Sequence, residues 1–543
     1  MSFSNRVFLP VVALFSLAFL VACGSGSHSP VPPPSGGFSN TDFKGTYTFS
    51  VLGADANGTF AMAGSLTACG CTQGTISGGN VDLVDSGSSA PNSTISNSST
   101  YEITQDGRGK ANLTITPTAG GTVGVVLDFV LTSSSHGLII RFDDNGTGSG
   151  TIDSQPTPVT QSSLANAYAF SLAGSDTANN PLSAEGAFTL DSSGNIAASP
   201  AGIEDVNYNV AISSQLALTG GITVGSGTAP GTAALTATGY DLTFDVYAID
   251  NTHLKIIESD GKAVLVGDVF TQPSASIPSG NLVFTVAGAD YSQNPAVPFV
   301  AGGIVSSDGA SQLSSGAEDI NEGGVVDGGT SPATPASFNG TFVASPSGSG
   351  RFLVSLTGFA GGSTFAAYPS TGGILIMQID TGLGAGITAG VAMKQNGTSL
   401  DSSQGYGLNL TGMDLSSGGE LDEIAQFQTT SGAFTNGLID VNDGGPESPA
   451  NFGGSYSVGA NGVGSATNLT NGLQSMFFYV VDNQTAVFIS TDPSGDQMSV
   501  GAFQEQSTPS TANAAVAEQH LAMVRSVLRS RPAQKGHQTP LGH

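Results

Sequence analysis

The chain has no tryptophan, only three cysteines, six histidines, and 13 lysines and arginines against 41 acidic residues in its 543 positions. Each shortage narrows what it can do. Between Gly24 and Ser507 there are 40 acidic and 8 basic residues, so the body is an anion that repels phosphate backbones, and nucleic acid is excluded as its partner. His28, His136, His253, His520, His537 and His543 are scattered, leaving Cys69 and Cys71 without the further soft ligands a zinc site needs. The chain contains no Gly-x-Ser-x-Gly elbow, no Gly-x-x-x-x-Gly-Lys phosphate loop and no His-Glu-x-x-His helix. Its one long apolar run, Val7 to Leu20, falls short of the ~20 residues that span a bilayer.

What is present is glycine, 76 residues of it, among tracts of Ser, Thr, Asn and Val. That composition makes short strands joined by many turns. The stretch Tyr47 to Asp55 places Tyr47, Phe49 and Val51 at alternate positions before a Gly53-x-Asp55 turn. It recurs as Tyr168 to Asp176, Leu282 to Asp290 and Tyr406 to Asp414, with 121, 114 and 124 positions between successive landmark glycines. Three more landmarks follow in register. Gly-x-x-Asp-apolar begins at Gly79, Gly202, Gly316 and Gly437. A Gly-x-Gly hairpin stands at Gly107, Gly348 and Gly462, reduced to Pro230-Gly231 in the second copy. Each copy ends in Gly-x-apolar-x-x-Gln, at Gln155, Gln272, Gln395 and Gln506.

These spacings predict an all-β protein of four tandem antiparallel domains at residues 40–155, 161–272, 279–395 and 400–507. About eight strands are expected in each. In the first copy they are Thr46–Leu52, Gly58–Thr67, Thr75–Val84, Ser99–Ile103, Lys110–Thr116, Gly124–Leu131, Gly137–Phe142 and Gly148–Asp153. A meander of that length closes into a small barrel; a two-sheet sandwich is the alternative. Residues 508–543 differ in kind. Val516, His520, Val524, Val527 and Leu528 recur at helical spacing beside Arg525 and Arg529, which predicts a basic amphipathic C-terminal helix.

Four features bear on function. In three copies the second landmark extends to Asp-x-Asn: Asp205 and Asn207, Asp319 and Asn321, Asp440 and Asn442. Oxygen ligands two residues apart open many calcium loops, but the late bidentate Glu is missing, and a turn in which Asp and Asn bond their own backbone explains the same residues. No cofactor is expected, and these six residues are the calcium candidates should one bind. Cys69-Gly70-Cys71 belongs to the first copy alone, and is a local disulfide, an inert pair, or a redox or metal site. His136 and His253 align before the penultimate strand of copies one and two and read as loop residues. Cys69, Cys71, Arg108 and Arg141 are the oddities an enzyme site in the first copy would use.

Arg6, the apolar run and Leu20-Val21-Ala22-Cys23 resemble the signal peptide and lipobox of bacterial lipoprotein precursors. The resemblance implies removal of residues 1–22, lipidation of Cys23, and, because Gly24 follows, sorting to the outer membrane. Residues 23–39, with Pro30, Pro32, Pro33 and Pro34, then form a tether. The repeat itself, from residue 40 to 507, resembles tandem-repeat envelope lipoproteins of acidobacteria, which implies a cell-surface location and no particular activity. The expected function is a non-catalytic, multivalent binding or adhesion module anchored to the membrane by its lipid, with a glycan or other envelope component as ligand. An envelope enzyme and a plain structural spacer are the alternatives.

Overall fold

The computed structural model describes residues 37–507 apart from 87, 294, 328–334, 383–385 and 493. The expected signal peptide, Cys23, most of the expected tether and the expected tail helix lie outside the described residues. The one helical element whose residues are all described is a 3-10 turn, Gln161–Leu164. Everything else is strand and turn.

The strands fall into four groups in chain order, spanning Lys44–Ser154, Ala167–Thr271, Gly280–Lys394 and Gly405–Glu505. Groups two and four are closed eight-stranded barrels. Group three closes likewise, and carries the two-residue strand Val325–Val326 as an appendage on Gln312–Glu322. Group one is a nine-stranded sheet drawn shut by the pairs Thr94 with Thr116 and Ile95 with Ile115 and by a bridge between Thr75 and Thr100. Barrel, not sandwich, is the architecture. In every group the first strand pairs on one side with the second and on the other with the last, so no edge is left there.

One expected strand set needs correction. The first barrel's fourth strand is Ser88–Ile95, absent from the expected set, while Thr100–Ile103 is a side branch on Arg108–Thr116. Its sequence, SSAPNSTI, contains Pro91 and almost no apolar residue, so alternation could not reveal it.

An eight-stranded barrel has an interior just wide enough for side chains to fill. Tyr47, Phe49 and Val51 fill the first, Tyr168, Phe170 and Leu172 the second, and Tyr406, Leu408 and Leu410 the fourth. Each tyrosine also caps a turn, donating its hydroxyl hydrogen to the carbonyl of Ser134 (2.6 Å), Asn251 (2.9 Å) or Asn483 (3.0 Å). Phe43, Leu164, Ile277 and Leu400, from the segments preceding each barrel, are buried in the same four cores.

The outward faces of these opening strands are buried too, and their residues are small or polar: Thr48 and Ser50, Ala169 and Ser171, Thr285 and Ala287. Small outward residues let one barrel lie against the next. Ala61, Ala63 and Val84 of the first barrel pack with Tyr247, Ile257 and Val264 of the second. Ala169 and Ile203 of the second meet Tyr368 and Leu375 of the third in a cluster that also holds Tyr479 and Val487 of the fourth. Ile424 of the fourth packs with Val130, Leu138 and Ile140 of the first. The four barrels therefore form a ring in which the last touches the first. The landmark glycines serve this closeness at strand level: a Cβ on Gly53 would lie 1.9 Å from the Thr147 carbonyl oxygen, and one on Gly288 1.8 Å from that of Ile387.

Candidate functional site

The residues that the sequence offered to calcium stand at the junctions between barrels. Asn207 donates both amide hydrogens to the next barrel, to the carbonyls of Gln378 (3.1 Å) and Gly386 (3.0 Å). Asn321 does the same to Ser490 and Gln497 of the fourth barrel, and Asn442 to Arg141 and Gly146 of the first. In each case the acceptors lie on the final hairpin of the following barrel. The aspartates two residues earlier reach the same neighbours. Asp205 receives the Tyr368 hydroxyl and a two-pronged Arg351 guanidinium, Nη2 lying 3.1 Å from Oδ1. Asp319 receives the Tyr479 hydroxyl at 2.6 Å, and Asp440 receives Arg108 Nη1 at 3.1 Å. These six side chains are buried and make contacts between barrels. Among the described residues no group of three or more His, Cys, Asp and Glu converges as metal ligands would.

The closing glutamines complete the clasp. Gln155 donates to Ala248 O in the second barrel, Gln272 to Gly350 O and Pro369 O in the third, and Gln395 to Asn461 O and Val480 O in the fourth. Gln506 returns to the first barrel, to Asp106 O (2.7 Å) and Leu131 O (2.9 Å), 400 and 375 positions back along the chain. Room for the glutamine comes from a glycine with positive φ. Gly107, Gly350 and Gly462 have φ of 85°, 79° and 84°, and a Cβ on any of them would overlap the incoming side chain. This corrects the alignment of the hairpin in the third copy. Phe352 pairs with Ala367, which sets Arg351 beside Tyr368 as Arg108 is set beside Val130, so Gly350 and not Gly348 is the counterpart of Gly107.

The junction between barrels one and two departs from the pattern. Val84 stands where the other copies have asparagine and packs on the neighbouring hairpin. Asp82 still receives a tyrosine hydroxyl, from Tyr247 at 2.8 Å. Burial, then the nearby Asp245, push its carboxyl up. Beside it lies a buried ionic network. His136 Nδ1 is 2.7 Å from Asp153 Oδ1 in the first barrel, and His253 Nε2 is 2.6 Å from Asp268 Oδ1 in the second. Lys255, 1% exposed, sits between the two aspartates at 3.7 and 3.4 Å and donates to Thr151 Oγ1 at 2.6 Å. Both histidines are buried rather than in loops. Burial raises Asp153, yet His136, Lys255 and His253 outweigh it and hold the carboxyl down at about 2. The atom a nucleophile would meet, His136 Nε2, is buried without a hydrogen-bond partner. This arrangement joins two barrels; it does not present a base to solvent.

The remaining oddities of the first copy are also engaged. Cys69 and Cys71 are bonded to one another, with Cα atoms 5.2 Å apart. Arg141 pairs with Asp143 at 3.1 Å and lies over the Phe60 ring at 4.4 Å, and Arg108 pairs with Asp106 as well as Asp440. Sequence reasoning missed Arg351, Tyr247, Tyr368, Tyr479 and Lys255, each of which reaches a partner on another barrel 100 or more positions away. The acidic residues are not all at the surface. Many are buried: burial pushes Glu204, Glu318 and Glu423 up to about 8, Asp128 up to about 7, and Asp319 up to about 6.

No family model matches the chain, and no curated protein matches it. Among solved structures, the Trp-176-Ala mutant of the vaccine antigen transferrin binding protein B from Haemophilus parasuis Hp5 aligns over 69% of this chain and 83% of its own. The identity is 9% and the TM-score 0.17. Isotype 1 transferrin binding protein B from serogroup B Neisseria meningitidis aligns over 69% and 85%, at 9% identity and a TM-score of 0.19. Neither likeness bears on what this chain does.

Proposed function

We propose that the chain is an exported protein held at the outer membrane or cell surface by lipid on Cys23, and that its four-barrel head binds an extracellular glycan or other envelope component without performing chemistry on it. The observation that supports this reading is the ring. Four related barrels, clasped by Gln, Asn and Asp side chains, hold their free loops at fixed spacing. Weak contacts made by one barrel then raise the effective concentration of the others, without the ordering cost that flexible linkers impose. The engagement of Cys69, Cys71, Arg108 and Arg141 in contacts within and between barrels favours binding over an enzyme site in the first copy.

The test uses cells displaying the full chain and its Cys23→Ala variant, each offered immobilised peptidoglycan, lipopolysaccharide and secreted polysaccharide. Retention of displaying cells by at least one fraction is expected, with the variant found in the soluble fraction. Retention by none would leave the spacer reading in its place, and an unaltered membrane fraction for Cys23→Ala would remove the anchor.

A further inference from the structure

The third barrel is not filled like the others. At three inward positions it carries the smallest residue of the four copies. Leu282 replaces Tyr47, Tyr168 and Tyr406 at the head of the opening strand. Ala392, paired with Phe284, replaces Ile152, Val269 and Phe503, which pair with Phe49, Phe170 and Leu408. Ala367, paired with Ile376, replaces Phe129, Val246 and Phe478. Phe359, edge-on to Phe284 and Phe365, recovers part of the lost volume. About 70 Å³ remains open in the lumen, and Leu282, Ala367 and Ala392 all line it together with Phe, Leu, Ile and Val side chains.

A water molecule needs roughly 10–15 Å³ and two or more polar partners, so a space of this size and lining is too apolar to hold water and favours hydrocarbon. It also has an approach. A groove of about 330 Å³ runs between Pro273–Pro278 and the third and fourth barrels, and it shares Ile374 and Ala392 with the lumen. Its walls beyond those two residues include Ser274, Thr371, Lys394 and Asn396. The tyrosine whose hydroxyl ties down the adjoining turn in the other barrels is the residue missing here.

We propose that the lumen of the third barrel binds an alkyl chain, entering past Ile277 from this groove and leaving a polar end among Ser274, Thr371, Lys394 and Asn396. Apolar lining selects the chain, and the mixed groove accepts its head. The source, a free fatty acid or an uncharged lipid, is left to the head and not to the lumen. The inference deepens the proposed binding role by naming a ligand class for one barrel. It is tested separately from the lipid anchor and from polymer retention, so its failure would leave both standing.

The experiment is calorimetric titration of the full chain, carrying Cys23→Ser so that no detergent is required, with octanoate and with octyl glucoside below its micelle concentration. Acetate serves as the head without a chain. Binding of at least one of the two amphiphiles and none of acetate is expected; octanoate alone would point to a carboxylate beside Lys394, and both together to the chain as the main determinant. Leu282→Tyr and Ala392→Ile restore residues that other barrels carry. Each is expected to weaken binding by tenfold or more while the ligand-free melting temperature holds or rises. Ala367→Val, the residue of the second barrel, is read in place of any variant that loses its fold. Equal affinity in the filled variants, or no heat from either amphiphile at millimolar concentration, would overturn the proposal.

Discussion

Arg351 and Asp205 are 1% and 0% exposed and lie on different barrels, and among the described residues each is the other's counter-ion. Removing one member of such a pair leaves an uncompensated buried ion, at a cost of about 3–5 kcal/mol. Arg351→Met is expected to lose that much in urea unfolding. Asp319 occupies the same place one barrel on, but it meets a tyrosine hydroxyl and, among the described residues, no cation, and burial lifts its carboxyl to about 6. Asp319→Asn should therefore cost less than about 1 kcal/mol at pH 8, since the amide oxygen can accept the same hydrogen bond without a desolvated charge. A loss from Asp319→Asn as large as that from Arg351→Met would refute this account of the two junctions. None of it was legible beforehand: a sequence shows that Asp205, Asp319 and Asp440 are equivalent, but not that their partners differ.

At the scale of the element, the hairpin glycines separate two effects. Gly348 has φ of 79° with open space around its would-be Cβ, whereas Gly107 has φ of 85° and faces the Gln506 amide at 2.5 Å. Gly348→Ala should lose roughly 1–2 kcal/mol, for the left-handed backbone alone. Gly107→Ala should lose that and also the clasp, bringing the total to roughly 2–4 kcal/mol. Matching urea midpoints for the two variants would show that the clasp contributes nothing. The Gly-x-Gly pattern could suggest a turn, and it did. It could not say which glycine of Gly348-Ser-Gly350 admits the glutamine, because that depends on which residue Tyr368 faces across the sheet. The strand Ser88–Ile95 is the same lesson in another form. Its place is set by pairing with Ile76–Asp85, not by any periodicity of its own.

For the molecule as a whole, two consequences follow from the ring. Burying the outward faces of the opening strands makes each barrel a support for its neighbours, so the full chain is expected to unfold in one calorimetric transition. Four resolved transitions, each matching a separately expressed barrel, would contradict that. The second consequence is a pH dependence. Glu204, Glu318, Glu423 and Asp128 have carboxyls raised by burial to about 8, 8, 8 and 7, against roughly 4 in an unfolded chain. Between those values the folded protein keeps protons that the unfolded one has released. Their stabilisation is complete below pH ~4 and is lost as pH rises through the folded values. Asp153, held at about 2, works in the opposite sense only at lower pH. Melting temperature should therefore be higher at pH 5 than at pH 8. The difference should survive 0.5 M salt, which screens repulsion between exposed charges far more than the cost of buried ones. A melting temperature that rises with pH over this range would exclude the buried carboxyls as its cause.

The sequence by itself determined the all-β class, the four copies, and the inward Tyr, Phe and Val of the opening strand. These are local patterns: alternation, turn glycines and a short motif act over a few residues and need no knowledge of neighbours. Only the tertiary structure decided that Asp205, Asn207, Asp319, Asn321, Asp440 and Asn442 clasp adjacent barrels, that Gln506 reaches back to the first, and that Leu282, Ala367 and Ala392 together leave one lumen open. Those facts depend on which side chains meet across a barrel or a junction, and residues that far apart in the chain are brought together only when it closes on itself.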